Sequence, residues 1–162
     1  MKRRMAIAVL GLTFAILTSA SADARCVKRT ISGTQTGTVS LNPATGAFSG
    51  TAVGTLTHLG RTIGTQSGTV APTPDGHYAG TSTWTIVAAN GDKLIGTGVL
   101  SVEGPPAGEH TTTLQATVTG GTGRFRGARG QLTAVYHVSP LSFDGVTVVN
   151  QLEGRLTGQI WY

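Results

Sequence analysis

Taken in steps of two, the C-terminal run "VVNQLEGRLTGQIW" (Val148–Trp161) divides into two faces. One is Val148, Asn150, Leu152, Gly154, Leu156, Gly158 and Ile160; the other is Val149, Gln151, Glu153, Arg155, Thr157, Gln159 and Trp161. Successive side chains of a strand point to opposite sides, so this is the pattern of a β-strand with one wet face. Glu153 and Arg155 must meet water. The glycines therefore point inward with the leucines. Glycine weakens a strand unless the fold needs a position without a side chain, so this inward Gly/Leu face is the strongest constraint on the fold.

The same face recurs along the chain. Leu94, Gly96, Gly98, Leu100 and Val102 share one side of a run, as do Phe48, Gly50, Ala52, Gly54 and Leu56. Ile31, Gly33, Gln35, Gly37 and Val39 align with Thr62, Gly64, Gln66, Gly68 and Val70. The phrases "GTQTGTV", "GTAVGTL" and "GTQSGTV" begin at Gly33, Gly50 and Gly64. Their spacing is irregular, which fits successive strands of a meander and not a solenoid. The threonines fall mostly on the outer face, where β-branched chains suit a half-exposed surface.

Turn signals separate the runs: "NPATG", "HLG", "TPDG", "NGD", "GPPAGE", the glycine-rich stretch at residues 120–127, and "SPLSFDG". These breaks leave eight strands. At "AANGDK" a two-residue Asn90-Gly91 hairpin would send Trp84 outward. A three-residue loop, Asn90-Gly91-Asp92, pairs Ala88 with Leu94, Ile86 with Gly96 and Trp84 with Gly98, and keeps Trp84 inward with Gly80. Small closed barrels are filled by alternating small and large residues. The expected fold is therefore all-β: a closed eight-stranded antiparallel meander barrel. A two-sheet sandwich is the alternative that the same pattern allows.

"MKRRM", "AIAVLGLTFAIL" and "ASADA" have the charge, apolar core and small-residue end of a secretory signal peptide. The expected organisation is a signal peptide at 1–24 and a single barrel domain at 25–162, exported to the periplasm or medium. The apolar run is short for a membrane span, so no membrane association is expected after cleavage. Arg25 spoils a lipobox at Cys26, the only cysteine, which is either a free thiol on a flexible end or a link between chains. The whole chain is formally +5. Losing Lys2, Arg3, Arg4 and Asp23 leaves a mildly basic chain, which calls for no nucleic-acid partner.

"TVTGGTGRFRGARGQL" (Thr117–Leu132) is not a phosphate loop, because it lacks G-x-x-x-x-G-K-[ST] and leads into a strand, not a helix. It reads as a compact turn in which Phe125 tucks into one end of the core while the arginines stay wet. The stretch resembles the Gly-Gly-[Thr/Ser]-Gly-x-Phe-x-x-[Ala/Val]-x-Gly turn of the dirigent and allene oxide cyclase families. "THLGR" and "AANGDKLIGTG" look like their bacterial secreted relatives. The resemblance implies an eight-stranded barrel, usually oligomeric, with an apolar cavity in which reactive intermediates undergo ring closure or coupling. It carries no catalytic residue onto this sequence.

Alternation places Gln35, His58, Gln66, Tyr136 and Asn150 inward, with Trp84 and Phe48 as aromatic walls. Gln35, Phe48, Gln66, Trp84 and Asn150 are the candidate ligand-binding residues. His58 and Tyr136, the inward groups that titrate, are the candidate catalytic ones. All carboxylates fall in turns or outward, which argues against a paired-carboxylate hydrolase. No nucleophile elbow is present. The histidines lack metal-ligand spacing, so neither metal nor cofactor is expected. The expected function is binding of a small apolar molecule and guidance of its cyclisation or isomerisation. The alternatives are a non-catalytic barrel acting through its surface, or an avidin-like module, which would want several tryptophans where only Trp84 is available. The outward apolar set Ile95, Val99, Val149 and Trp161 suggests a homo-oligomer.

Overall fold

The computed structural model describes residues 26–162. The expected signal peptide lies outside them. Eight strands follow in order: β1 (Lys28–Leu41), β2 (Ala47–Leu56), β3 (Gly60–Pro72), β4 (Tyr78–Val87), β5 (Lys93–Glu103), β6 (His110–Gly121), β7 (Arg129–Phe143) and β8 (Val148–Trp161). Each pairs antiparallel with its neighbour, and β8 returns to β1 from Lys28↔Trp161 to Leu41↔Val148. The sheet therefore closes into a barrel and the sandwich alternative is excluded. Closure leaves no free edge.

The inward face is the one that the alternation marks. In β5, Leu94, Gly96, Gly98, Leu100 and Val102 are buried while every residue between them is exposed. The glycines have a specific partner: the large inward side chains lie opposite them. Trp84 is in register with Gly96, Tyr136 with Gly154, Gln35 with Gly54 and Gly154, and Phe48 with Gly68. A Cβ on Gly96 would sit 2.2 Å from Trp84 Cζ2, so the indole occupies the space the glycine leaves. Small opposite large is how a narrow barrel interior is filled.

The two ends differ. At one end the β2–β3, β4–β5 and β6–β7 loops meet the start of β1 and the end of β8. Ile31, Leu56, Leu59, Leu94, Phe125 and Ile160 form a packed plug there. Phe125 rides on a single 3-10 turn, Gly123–Phe125, and is 0% exposed. Its ring meets Tyr162 edge-on at 4.8 Å, and the Arg124 guanidinium lies 4.7 Å from its centroid. Arg124 Nη2 also donates to the His58 carbonyl at 3.0 Å, tying the plug to the β2–β3 turn. The glycine-rich stretch is thus the turn that seals one end, as its residues suggest.

Two local expectations are corrected. The β4–β5 loop is three residues long but is Ala89-Asn90-Gly91, one residue early. Ala88 N–H donates to Asp92 O at 2.8 Å and Gly91 N–H to Ala88 O at 2.9 Å. Gly91, at φ +86°, takes the left-handed third loop position, as such loops require. Ile86 therefore faces Leu94, and Trp84 faces Gly96, not Gly98. The parity of the strand is unchanged, so Trp84 still points inward. The shift frees the Asp92 carboxylate to accept the Arg124 N–H at 3.2 Å and Asn90 Nδ2 at 2.7 Å.

The second correction is at "SPLSFDG". β7 continues through most of it, with a register shift between Pro140 and Ser142. The last β6 partner is Val138, so Pro140 lies where β7 has a neighbour on one side only. Proline is tolerated at such edge and bulge positions. The turn proper is residues 144–147.

Candidate functional site

The other end, where the β1–β2, β3–β4, β5–β6 and β7–β8 loops lie, is not packed solid. A cavity of two lobes runs inward from it. The inner lobe, about 60 Å³, lies between Gln35, Phe48, Gly64, Gln66, Trp84 and Tyr136. The outer lobe, about 70 Å³, reaches Asn150, Leu152 and His110 at the mouth. Val39, Phe48, Gln66, Leu114, Tyr136 and Leu152 wall both. The barrel is thus packed at one end and keeps two small cavities through its middle and open end.

All five candidate ligand-binding residues line this cavity, and so does Tyr136. Most of their polar atoms are committed to partners within the barrel wall. Tyr136 Oη donates to Gln35 Oε1 at 2.7 Å, and Gln66 Nε2 donates to Ser82 Oγ at 2.9 Å. Trp84 Nε1 donates to the Thr97 carbonyl at 3.0 Å, leaving the indole face as an apolar wall. Asn150 is 1% exposed, and its Oδ1 has no partner among the described residues. Burial pushes the Tyr136 phenol up to about 12. It is a neutral hydrogen-bonding group at physiological pH, not a base.

His58 does not line this cavity. It sits in the β2–β3 turn at the plugged end, exposed, with φ +64°. Alternation assigned it inward because it follows Leu56 by two residues, but β2 ends at Leu56 and the parity stops with it. Its backbone makes the turn, and Leu59 fills the inward place. At the open mouth stands His110, half-buried, with Nδ1 2.7 Å from the Gly108 carbonyl. A carbonyl only accepts, so Nδ1 carries the proton and Nε2 presents a lone pair in the neutral ring. His110 was legible in the sequence, since it shares a face with Thr112 and Leu114. Ser82 was legible in the same way, between inward Gly80 and Trp84.

No Asp, Glu, Lys or Arg lines either lobe. Among the described residues no group of three His, Cys, Asp or Glu side chains is placed to hold a metal ion. The arrangement can confine a neutral molecule against aromatic and aliphatic walls and offer it amide, phenol and imidazole contacts.

No protein-family model matches the chain, and no curated protein matches it. Among solved structures it is similar to that of a pterocarpan synthase dirigent protein, at 13% identity and a TM-score of 0.44 over 97% of each chain.

Proposed function

We propose that this protein is an exported barrel that binds a small, neutral, mostly apolar molecule in its open-end cavity and constrains that molecule toward ring closure or isomerisation. The observation that carries this reading is the cavity itself: an uncharged space walled by Trp84, Phe48 and aliphatic chains, with a few fixed polar groups. Binding pockets have this composition. Each lobe, about 60 and 70 Å³, is well under the roughly 150 Å³ in which an apolar cavity takes up a benzene ring, so the occupant is no larger than one small ring reaching across their shared wall. Confinement of reacting atoms in a near-attack geometry is the catalytic contribution such a site makes. It needs no carboxylate pair. Export rests on the N-terminal sequence.

The test is the fluorescence of Trp84 in a Trp161→Phe background, titrated with neutral single-ring compounds. A saturable change is expected, and it should vanish when Gly64→Val is added to fill the inner lobe. No saturable response would leave a non-catalytic barrel acting through its surface as the better reading.

Self-association belongs to the same proposal, but the surface differs from the one expected. Ile95 and Val99 are exposed on β5, whereas Val149 and Trp161 are half-buried on β8, with β6 and β7 between them. The four do not form one patch. Exposed Val53 and Ile63 pair directly across β2 and β3, and Ile63 pairs with Val87. This outer strip, continuing toward Ile95, is the surface proposed for a second copy. Light scattering of the wild type and of Ile63→Lys tests it. A monomeric wild type would remove it.

A further inference from the structure

We propose, building on the small-molecule reading above, that the ligand is an alcohol whose hydroxyl donates a hydrogen bond to Asn150 Oδ1. Asn150 is almost fully buried, and this oxygen is the buried side-chain polar atom left without a partner among the described residues. Protein interiors rarely leave such an acceptor unmade, because its desolvation is then uncompensated. Its neighbours across the sheet explain why no protein group serves it. Asn150 is in register with Val39 on β1 and Pro140 on β7, and neither brings a side-chain donor. Asn150 faces the outer lobe, beside Leu152.

The rest of the lobe narrows the chemistry. It has no cation to receive a carboxylate or phosphate and no carboxylate to receive an amine cation, so the ligand is neutral. One N–H of the Gln66 amide is donated to Ser82 Oγ. His110 also lines this lobe, with its Nδ1 held by the Gly108 carbonyl. The unmade Asn150 Oδ1 calls for a donor, and the Thr112 hydroxyl on the same lobe can give or accept a hydrogen bond, so a hydroxyl, which does both, matches the lobe. An apolar body with one hydroxyl satisfies Asn150, whereas a ketone of equal size leaves it unpaired and adds a second acceptor.

The test compares cyclopentanol, cyclopentanone and cyclopentane by calorimetry or ligand-observed NMR, on wild type and on Asn150→Leu. Wild type is expected to bind the alcohol about tenfold or more tightly than the ketone, as one made rather than unmade buried hydrogen bond requires. Asn150→Leu should lose that preference and keep affinity for cyclopentane. Equal binding of alcohol and ketone by wild type would overturn the proposal and leave the cavity reading standing. So would a preference that survives in Asn150→Leu. Absence of binding by all three compounds would remove both readings. A measurement on the unaltered protein makes the test independent of how the variant folds. The side-chain amide resonance of Asn150 should shift with cyclopentanol and not with cyclopentanone. Its indifference to the alcohol overturns the assignment.

Discussion

The Tyr136 phenol on β7 donates a 2.7 Å hydrogen bond to Gln35 Oε1 on β1, passing over Gly154 of the intervening β8, which is in register with both residues. The bond spans three strands and forms part of the wall of the cavity. It exists because Gly154 has no side chain: a Cβ there would lie 2.6 Å from Tyr136 Cδ1.

Tyr136→Phe deletes the donor and keeps the ring. It should destabilise the barrel by about 1–3 kcal/mol, because Gln35 Oε1 is left without a donor. Urea denaturation measures this. A variant as stable as wild type would mean that water replaces the phenol at no cost.

The same residue makes the stability of the barrel fall in alkali. Burial raises the Tyr136 phenol from 10.0 to about 12 in the folded chain. The folded state therefore holds the proton where the unfolded state has lost it. The contribution is fully present below pH 10 and is lost as pH rises through 12, on the order of 2 kcal/mol over that window. Denaturation from pH 9 to 12 should show the fall in wild type and a smaller one in Tyr136→Phe. Parallel curves would contradict the assignment to Tyr136.

Two inward glycines should respond in opposite senses. Gly64 lines the inner lobe, and a Cβ there meets nothing closer than Gln35 Nε2 at 3.6 Å. Gly64→Ala should stabilise by about 0.4–1 kcal/mol, since the backbone accepts a side chain and the unfolded chain loses freedom. Gly96→Ala drives a methyl into the Trp84 indole and should cost about 1–3 kcal/mol. Thermal unfolding of the pair decides this. Equal destabilisation would mean that the inner lobe is filled.

Much of this was open to reading in the chain alone. Period-2 alternation fixes the faces, so Leu156 inward and Thr157 outward follow from Glu153 and Arg155, and the structure buries the first and exposes the second. The turn residues mark eight strands. Alternation fails where a strand stops, and for that reason His58 was misplaced. Nor does it fix register to better than two residues, because a shift of two keeps every face. That is how Trp84 came to oppose Gly96 in place of Gly98. The state of the interior was not legible at all. Whether a barrel is hollow depends on the summed volume of side chains from eight strands, and here the answer differs between its two ends.

The plug should carry stability and not the binding site. Phe125→Ala removes a fully buried ring and should cost about 3–5 kcal/mol. His58→Gly removes an imidazole from a turn at φ +64°, where a side chain is disfavoured by about 1–2 kcal/mol. It should leave stability equal or higher and ligand affinity unchanged. Lost ligand binding in His58→Gly would return that histidine to the site.

On the proposed reading, the open-end cavity holds a small neutral molecule. A crystal structure of the protein soaked in cyclopentanol tests it most directly. Density is expected for one ring between Phe48, Leu152 and Tyr136, with its oxygen within hydrogen-bond distance of Asn150 Oδ1. A cavity closed by movement of Phe48 and Leu152, or filled by ordered water alone at saturating alcohol, would contradict it.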